Sequence, residues 1–172
     1  AITPDSLKAC LKTFIEAGLP TATFDHDRGG MQWPVRVVNV MQGIFQAANA
    51  PATGYLFLTS SNAHMLQACG SEALRERYLP PLVEGRWFGT MCLSEPHAGS
   101  SLSDIRCSAE PVGDGSYKLT GTKMWISGGE QDISENILHM VLARIPDAPQ
   151  GVKGISLFLV PKIRVEEDGS LG

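Results

Sequence analysis

Apolar residues recur at helical spacing through the first half of the chain and in short runs through the second. Leu7, Leu11, Phe14 and Ile15 mark one helix face. Thr3-Pro4-Asp5 supplies its start, with Thr3 as N-cap and Pro4 in the first helical position. Gly18 closes it, with Pro20 beyond. A polar loop covers 24–32. Pro34 opens a second helix whose stripe is Val37, Met41, Ile44 and Ala48, with Val38 and Phe45 beside it. Its stop is near Asn49, before Pro51. From Ala52 to Cys69 charges are few and small residues many, which predicts a helix buried on most sides. Gly70 ends it and Ser71 caps a last helix carrying Leu74, Tyr78 and Leu82. Pro80-Pro81 distort the final turn, and Glu84-Gly85 close it.

From Trp87 the period changes to short runs with β character, separated by turns. The predicted strands are 88–94, 105–112, 117–120, 122–127, 137–145 and 155–160. Gly113-Asp114-Gly115 is a turn, and 146–151 is a loop. The last two runs are apolar on both faces, so both read as central strands. Helices followed by strands predict an α+β fold, with a helical part over 1–86 and a β part over 87–172. Asp168-Gly169 is a hairpin-turn signal whose second strand is missing. The chain therefore reads as a piece of a longer protein.

At 172 residues the chain is long enough to bury a core without staples. A hydrophobic share of 43% argues against disorder. The net charge of −4, with no Lys/Arg run, argues against a nucleic-acid binder. Four cysteines, Cys10, Cys69, Cys92 and Cys107, lack metal-ligand spacing and read as reduced thiols of a cytoplasmic protein. No apolar run is long enough for a membrane helix, and the N-terminus has no signal-peptide pattern.

Two stretches carry candidate chemistry. Met91–Ser100 is a strand that runs through Pro96 into the small-residue loop Ala98-Gly99-Ser100-Ser101, which offers amides and hydroxyls to a polar ligand. In 122–127, alternation puts Trp125 and Ser127 on one face and Met124 and Ile126 on the other. An indole and a hydroxyl so placed suit a planar heterocycle. Taken alone, each feature reads more readily as an ordinary core residue, strand hydroxyl or turn.

Met91-Cys92-Leu93-Ser94-Glu95-Pro96-His97-Ala98-Gly99-Ser100 resembles the first signature of the acyl-CoA dehydrogenase family. Lys123-Met124-Trp125-Ile126-Ser127-Gly128-Gly129 is similar to its second, with Gly121-Thr122 before it. Tyr78–Gly85 resembles the helix end before the first. The resemblance spans essentially the whole chain, from the helical N-terminal domain into an antiparallel, barrel-like middle β domain.

The resemblance implies FAD. Met91, Leu93, Ser94, Trp125, Ile126 and Ser127 would contact the flavin ring, with Trp125 packing on it and Ser127 near N5. Gly99 and Ser100 would form the loop where flavin and acyl-CoA meet, Ser100 serving both. Glu95-Pro96 would shape the turn. The family oxidises an acyl-CoA to the trans-2-enoyl-CoA: a Glu removes the α-proton, the β-hydride passes to the flavin, and an electron-transfer flavoprotein reoxidises it. Members are usually dimers or tetramers. That Glu belongs to a C-terminal helical domain, and Glu130, Glu135, Glu166 and Glu167 do not match its position. No catalytic residue, and no metal, is therefore expected in this chain. It is expected to hold FAD weakly or not at all and not to turn over. A related acyl-CoA oxidase, a monooxygenase or a non-catalytic scaffold remain alternatives. Departures from the pattern are His97 for Gly, Ser101 for Asp, Gly128 for Asn, and Ser94 and Ser127 for Thr.

Overall fold

The computed structural model describes residues 2–172. Helix α1 spans Asp5–Glu16. Its N-cap is Pro4, without a side-chain cap, so the start lies one residue later than the sequence predicts. The amide of Thr3 is engaged elsewhere: it donates to Asp132 Oδ1 at 2.9 Å. Gly18, at φ 69°, turns the chain away from the helix.

Helix α2 spans Val35–Cys69 and kinks at Asn49 (φ −154°, ψ 83°). The two expected helices are thus one run with a break. Asn49 Oδ1 accepts the amide of Ala52 at 3.2 Å and so caps the second half, with Pro51 tolerated in its first turn. The expected stripe of the first half is not its buried face. Val37 and Ile44 are 51% and 65% exposed, whereas Val38 is buried and Phe45 packs edge-on against Phe14 at 4.6 Å. Two apolar faces compete here, and α1 takes the second. In the other half one face is buried, through Ala52, Thr53, Leu56, Thr59, Asn62, Ala63 and Leu66, rather than most sides; Phe57 and Met65 are exposed. Helix α3 spans Glu72–Val83, capped by Ser71 Oγ, which accepts the Leu74 amide at 3.4 Å. Pro80 and Pro81 lie within it.

The strands are β1 (Trp87–Cys92), β2 (Ser108–Pro111), β3 (Tyr117–Thr120), β4 (Asn136–Ala143) and β5 (Ser156–Pro161). The larger sheet has order β1-β4-β5, and β2-β3 form a two-stranded antiparallel sheet. Strand β1 pairs with β4 in parallel, Trp87 opposite Asn136, so the β part is mixed rather than wholly antiparallel. The long connection over 93–135 supplies the crossover that parallel pairing needs. Strand β4 is central as expected, but β5 is an edge, antiparallel to β4 alone. The sheets join where the Ala109 amide donates to Arg144 O at 2.8 Å and the Arg144 amide to Cys107 O at 2.9 Å. Near the C-terminus the Asp168-Gly169 turn does have a returning arm: Val165 bridges Leu171, and the Glu166 amide donates to Ser170 O at 2.9 Å.

Strand β1 organises the core. Trp87 packs with Phe24, Leu66, Tyr78, Leu82 and Leu138, whereas its neighbour Phe88 packs with Leu11, Ala52 and Leu56. Successive residues of one strand face opposite ways and so knit α3 and α1 to the same sheet. Each such ring buried from water contributes about 1.5–3 kcal/mol. The free edge of β1 is covered by α2. Thr59 Oγ1 accepts the Gly89 amide at 3.0 Å, and Asn62 Nδ2 donates to Thr90 O at 3.1 Å and Leu138 O at 3.0 Å.

Candidate functional site

Strand β1 stops at Cys92, two residues short of the predicted end, because the carbonyls beyond it have other partners. Leu93 O accepts from Lys123 Nζ at 3.0 Å, and Ser94 O accepts the Met124 amide at 3.0 Å. The chain then turns over Glu95–Ala98, closed by the Ala98 amide to Glu95 O at 3.1 Å and the Glu95 amide to Ala98 O at 2.7 Å.

Glu95 is 2% exposed. Its Oε2 accepts the Arg106 amide at 2.7 Å; its Oε1 accepts the Cys107 amide at 3.0 Å and Lys123 Nζ at 2.9 Å. Burial would raise the carboxyl, but the Arg106 amide, the Lys123 ammonium and the Cys107 amide more than offset it, and it sits at about 2. These amides are also why the predicted strand 105–112 shrinks to Ser108–Pro111. Glu95 is ionised, enclosed and fully occupied, which suits a structural anchor and not a proton acceptor.

The run 122–127 is not a strand, and the expected alternation of faces does not hold. Trp125 has φ 55°, a left-handed conformation rare for a bulky residue, and the residue is 76% exposed. Ile126 is half-buried and Ser127 exposed, with a turn closed by the Gly129 amide to Ile126 O at 3.0 Å. Upstream, Gly121 (φ 144°) lies against Cys107, where a Cβ would collide with Sγ.

Several of the singled-out residues converge. Met91 is 36% exposed at the end of β1. Leu93 and Ser94 are half-buried beside Lys123 and Met124. Ser94 Oγ faces Gly99, 4.0 Å from where a Cβ on that glycine would lie. Ser127 lines a cleft of about 330 Å³ between the α2 kink, at Pro51, Gly54 and Tyr55, and Phe88 and Gly89 of β1. Ser100 is exposed at the loop tip. A larger groove of about 660 Å³ runs between 27–29 and α3, but it is lined by charges of both signs and contains none of the motif residues.

The loop after Gly99 is held by Asp104. Its Oδ2 accepts from Ser101 Oγ at 2.6 Å and its Oδ1 from Ser103 Oγ at 3.3 Å; its carbonyl accepts from His97 Nε2 at 3.1 Å. A carboxylate missing at 101 is thus present three residues on. Arg144 donates to the carbonyls of Ser103, Ile105 and Gly151 and steadies the same loop. Behind β1, Thr90 Oγ1 and His139 Nδ1 are 2.7 Å apart, with Cys92 beside them. Burial pushes the Cys92 thiol up and the His139 imidazole down, so they form no thiolate–imidazolium pair at neutral pH. Among the described residues no His/Cys/Asp/Glu group could hold a metal ion, and no helix is long and apolar enough to cross a membrane.

Sequence reasoning missed the direct partnership of Glu95 with Lys123, and Asp104 as the loop's anchor. The available signal was one unpaired charge at a fixed place in each motif.

Residues 3–86 match the acyl-CoA dehydrogenase N-terminal domain, and residues 90–170 match the acyl-CoA dehydrogenase middle domain. The chain is 43% identical over 168 residues to 3-methylmercaptopropionyl-CoA dehydrogenase of Ruegeria pomeroyi, covering 98% of this chain and 29% of that protein. It superposes on butyryl-CoA dehydrogenase of Megasphaera elsdenii with a TM-score of 0.75 at 27% identity, covering 88% of this chain and 39% of that one. A glutaryl-CoA dehydrogenase of Mycobacterium smegmatis in complex with FADH2 matches with a TM-score of 0.74 at 25% identity, over 93% and 38% of the two chains. The chain thus spans well under half the length of these relatives. Both halves of the fold, and the motifs that meet behind the Trp125 loop, place this chain in the acyl-CoA dehydrogenase family.

Proposed function

We propose that the protein uses FAD to oxidise an acyl-CoA thioester to its trans-2-enoyl-CoA, and that residues 1–172 supply the flavin wall and part of the substrate mouth. On this reading residues 1–86 are the helical N-terminal part and 87–172 the middle β part. The observation that carries it is the pairing of an exposed indole with a nearby hydroxyl-lined cleft. Trp125 presents a flat apolar ring, and two residues on Ser127 lines the space between Phe88 and Tyr55. A planar heterocycle needs such a face, with donors at its polar edge. The residues present fit the group.

When bound, FAD would supply the hydride acceptor. Met91 and Leu93 would give the ring apolar contact, and Ile126 would support the Trp125 turn. Ser94 and Ser127 hydroxyls would be the donors to the ring's polar edge, where negative charge develops on reduction. Ser100, exposed at the loop tip beyond Gly99, would serve both the cofactor and the thioester. The α-proton goes to a carboxylate outside residues 1–172, since Glu95 is enclosed and His97 is engaged with Asp104. An electron-transfer flavoprotein takes the electrons, and the whole protein is a dimer or tetramer. The exposed free thiols of Cys10 and Cys69 support a reducing, cytoplasmic setting.

The test uses the full-length protein. Anaerobic mixing with short and medium acyl-CoA thioesters bleaches the flavin absorbance, and oxygen is consumed slowly. Rapid oxygen consumption would assign an oxidase instead, and no bleaching by any thioester would sink the reading. Trp125→Ala lowers flavin content more than His97→Ala does; equal content in both would remove Trp125 from the flavin wall.

A further inference from the structure

The two segments that present the candidate flavin contacts do not pair as strands, yet they are held together from behind. Lys123 Nζ donates to Glu95 Oε1 at 2.9 Å and to Leu93 O at 3.0 Å. One residue on, the Met124 amide donates to Ser94 O at 3.0 Å. The Lys123 side chain is 10% exposed and that of Glu95 2%. Glu95 in turn accepts the Arg106 and Cys107 amides, which fixes the pair to the return of the loop that carries Gly99 and Ser100.

This is an enclosed ion pair in which both carboxylate oxygens accept backbone amides and the ammonium has a second acceptor in Leu93 O. Such pairs contribute little net stability, because desolvation offsets the attraction, and in some proteins they serve instead to fix a position. The position constrained here is specific. On one side of the pair lie the Leu93 and Ser94 carbonyls. On the other, two residues past Lys123, lies Trp125 with φ 55°. A left-handed tryptophan persists only where its surroundings over-determine it. Lys123 and Met124 supply bonds from both the side chain and the backbone immediately before it.

We infer that Glu95 and Lys123 are positioning residues that set the spacing between the Leu93-Ser94 edge and the Trp125-Ser127 edge, and hence how the flavin ring is held. The inference rests on the flavin reading above. Neither residue touches the ring; both act through the backbone they tie.

The experiment uses the full-length protein and begins with the wild type stripped of FAD and reconstituted. A wild type that takes up no FAD overturns the flavin reading, and this inference with it, before any variant is compared. With FAD bound, Lys123→Met is expected to raise the Kd for FAD by about tenfold, the low end of what losing an outer hydrogen-bond partner costs at metal sites. It also shifts the resolved flavin absorption bands and the flavin reduction potential, measured on the folded, loaded fraction. Lys123→Arg, which keeps a cation able to reach both acceptors, gives an intermediate Kd. If Lys123→Met does not fold, Lys123→Gln replaces it, with a smaller rise in Kd because its amide can still reach one acceptor, and with the same shifts in spectrum and potential. Variants that melt earlier yet hold FAD with wild-type Kd, spectrum and potential would show a purely structural pair and overturn the inference.

Discussion

Asn62 and a side chain on residue 89 compete for one volume. A Cβ built on Gly89 collides with the Asn62 amide nitrogen, the same nitrogen that donates to Thr90 O and Leu138 O. Asn62 is 4% exposed, so water does not replace those bonds. Gly89→Ala therefore acts by evicting Asn62, and each single variant, Gly89→Ala or Asn62→Ala, loses about 1–3 kcal/mol. In the double variant the amide is gone, but the Cβ of residue 62 would still lie 2.7 Å from the new one, so only part of the second cost is saved and the loss falls modestly below the sum. Urea midpoints of the four proteins test this, and strict additivity would show that the two residues do not share the space.

Glu95 predicts an acid limb. Its folded-state carboxyl sits at about 2, below the ordinary glutamate value near 4.5. A carboxyl depressed on folding contributes stability that is complete above the unfolded value and is lost as pH falls through the folded one. The window therefore runs from about pH 5 down to about pH 2, and the contribution is at most on the order of 3 kcal/mol. In Glu95→Gln this limb is missing, and the variant is the less stable protein at neutral pH. Unfolding free energies of the two proteins between pH 7 and 3 should converge; parallel curves would refute the linkage.

Residue type alone singles out the two motif segments, through their serines, their glycines and Trp125, and the change from helical to strand spacing near Trp87 marks the architecture. The local geometry of 122–127 was not legible. Alternation assumes a pleated backbone, and nothing in Lys-Met-Trp-Ile-Ser announces a left-handed tryptophan, since that conformation is imposed by Lys123 and Met124 bonding to a segment about thirty residues away in sequence. Helix α2 shows the same limit. Periodicity found an apolar face at Val37 and Ile44, but which of two apolar faces meets α1 is decided by Phe14 reaching Phe45. Likewise β5 has the composition of a central strand, yet its neighbours are set by topology.

The loop beyond Gly99 predicts a charge dependence between Ser101 and Asp104. Ser101 Oγ donates to Asp104 Oδ2 at 2.6 Å, and Ser103 supports the other oxygen. These hydroxyls hold the Asp104 carboxyl below its usual range. Ser101→Asp sets two carboxylates against each other and loosens the turn, so the Ile105 amide, which donates to Leu102 O at 3.3 Å, exchanges faster. In the swapped protein, Ser101→Asp with Asp104→Ser, the partnership is restored with its direction reversed and protection returns. Hydrogen exchange of Ile105 in the three proteins checks this, and unprotected exchange in the swapped protein would show that position, not charge, decides.

Trp87 carries the last prediction. It is 2% exposed at the centre of the core, in tilted contact with Tyr78 at 6.3 Å, and its indole N–H has no acceptor among the described residues. An unpaired buried donor penalises the folded state by about 1–3 kcal/mol. Trp87→Phe removes that donor while keeping a ring among Phe24, Leu66, Leu82 and Leu138, so the lost packing is largely offset and the net cost is about 1 kcal/mol. Trp87→Ala removes the ring as well and costs about 3–5 kcal/mol. The comparison separates packing from hydrogen bonding at one site. If Trp87→Phe proved as costly as Trp87→Ala in urea denaturation, the indole N–H would have to be bonded in solution, with a buried water as its acceptor.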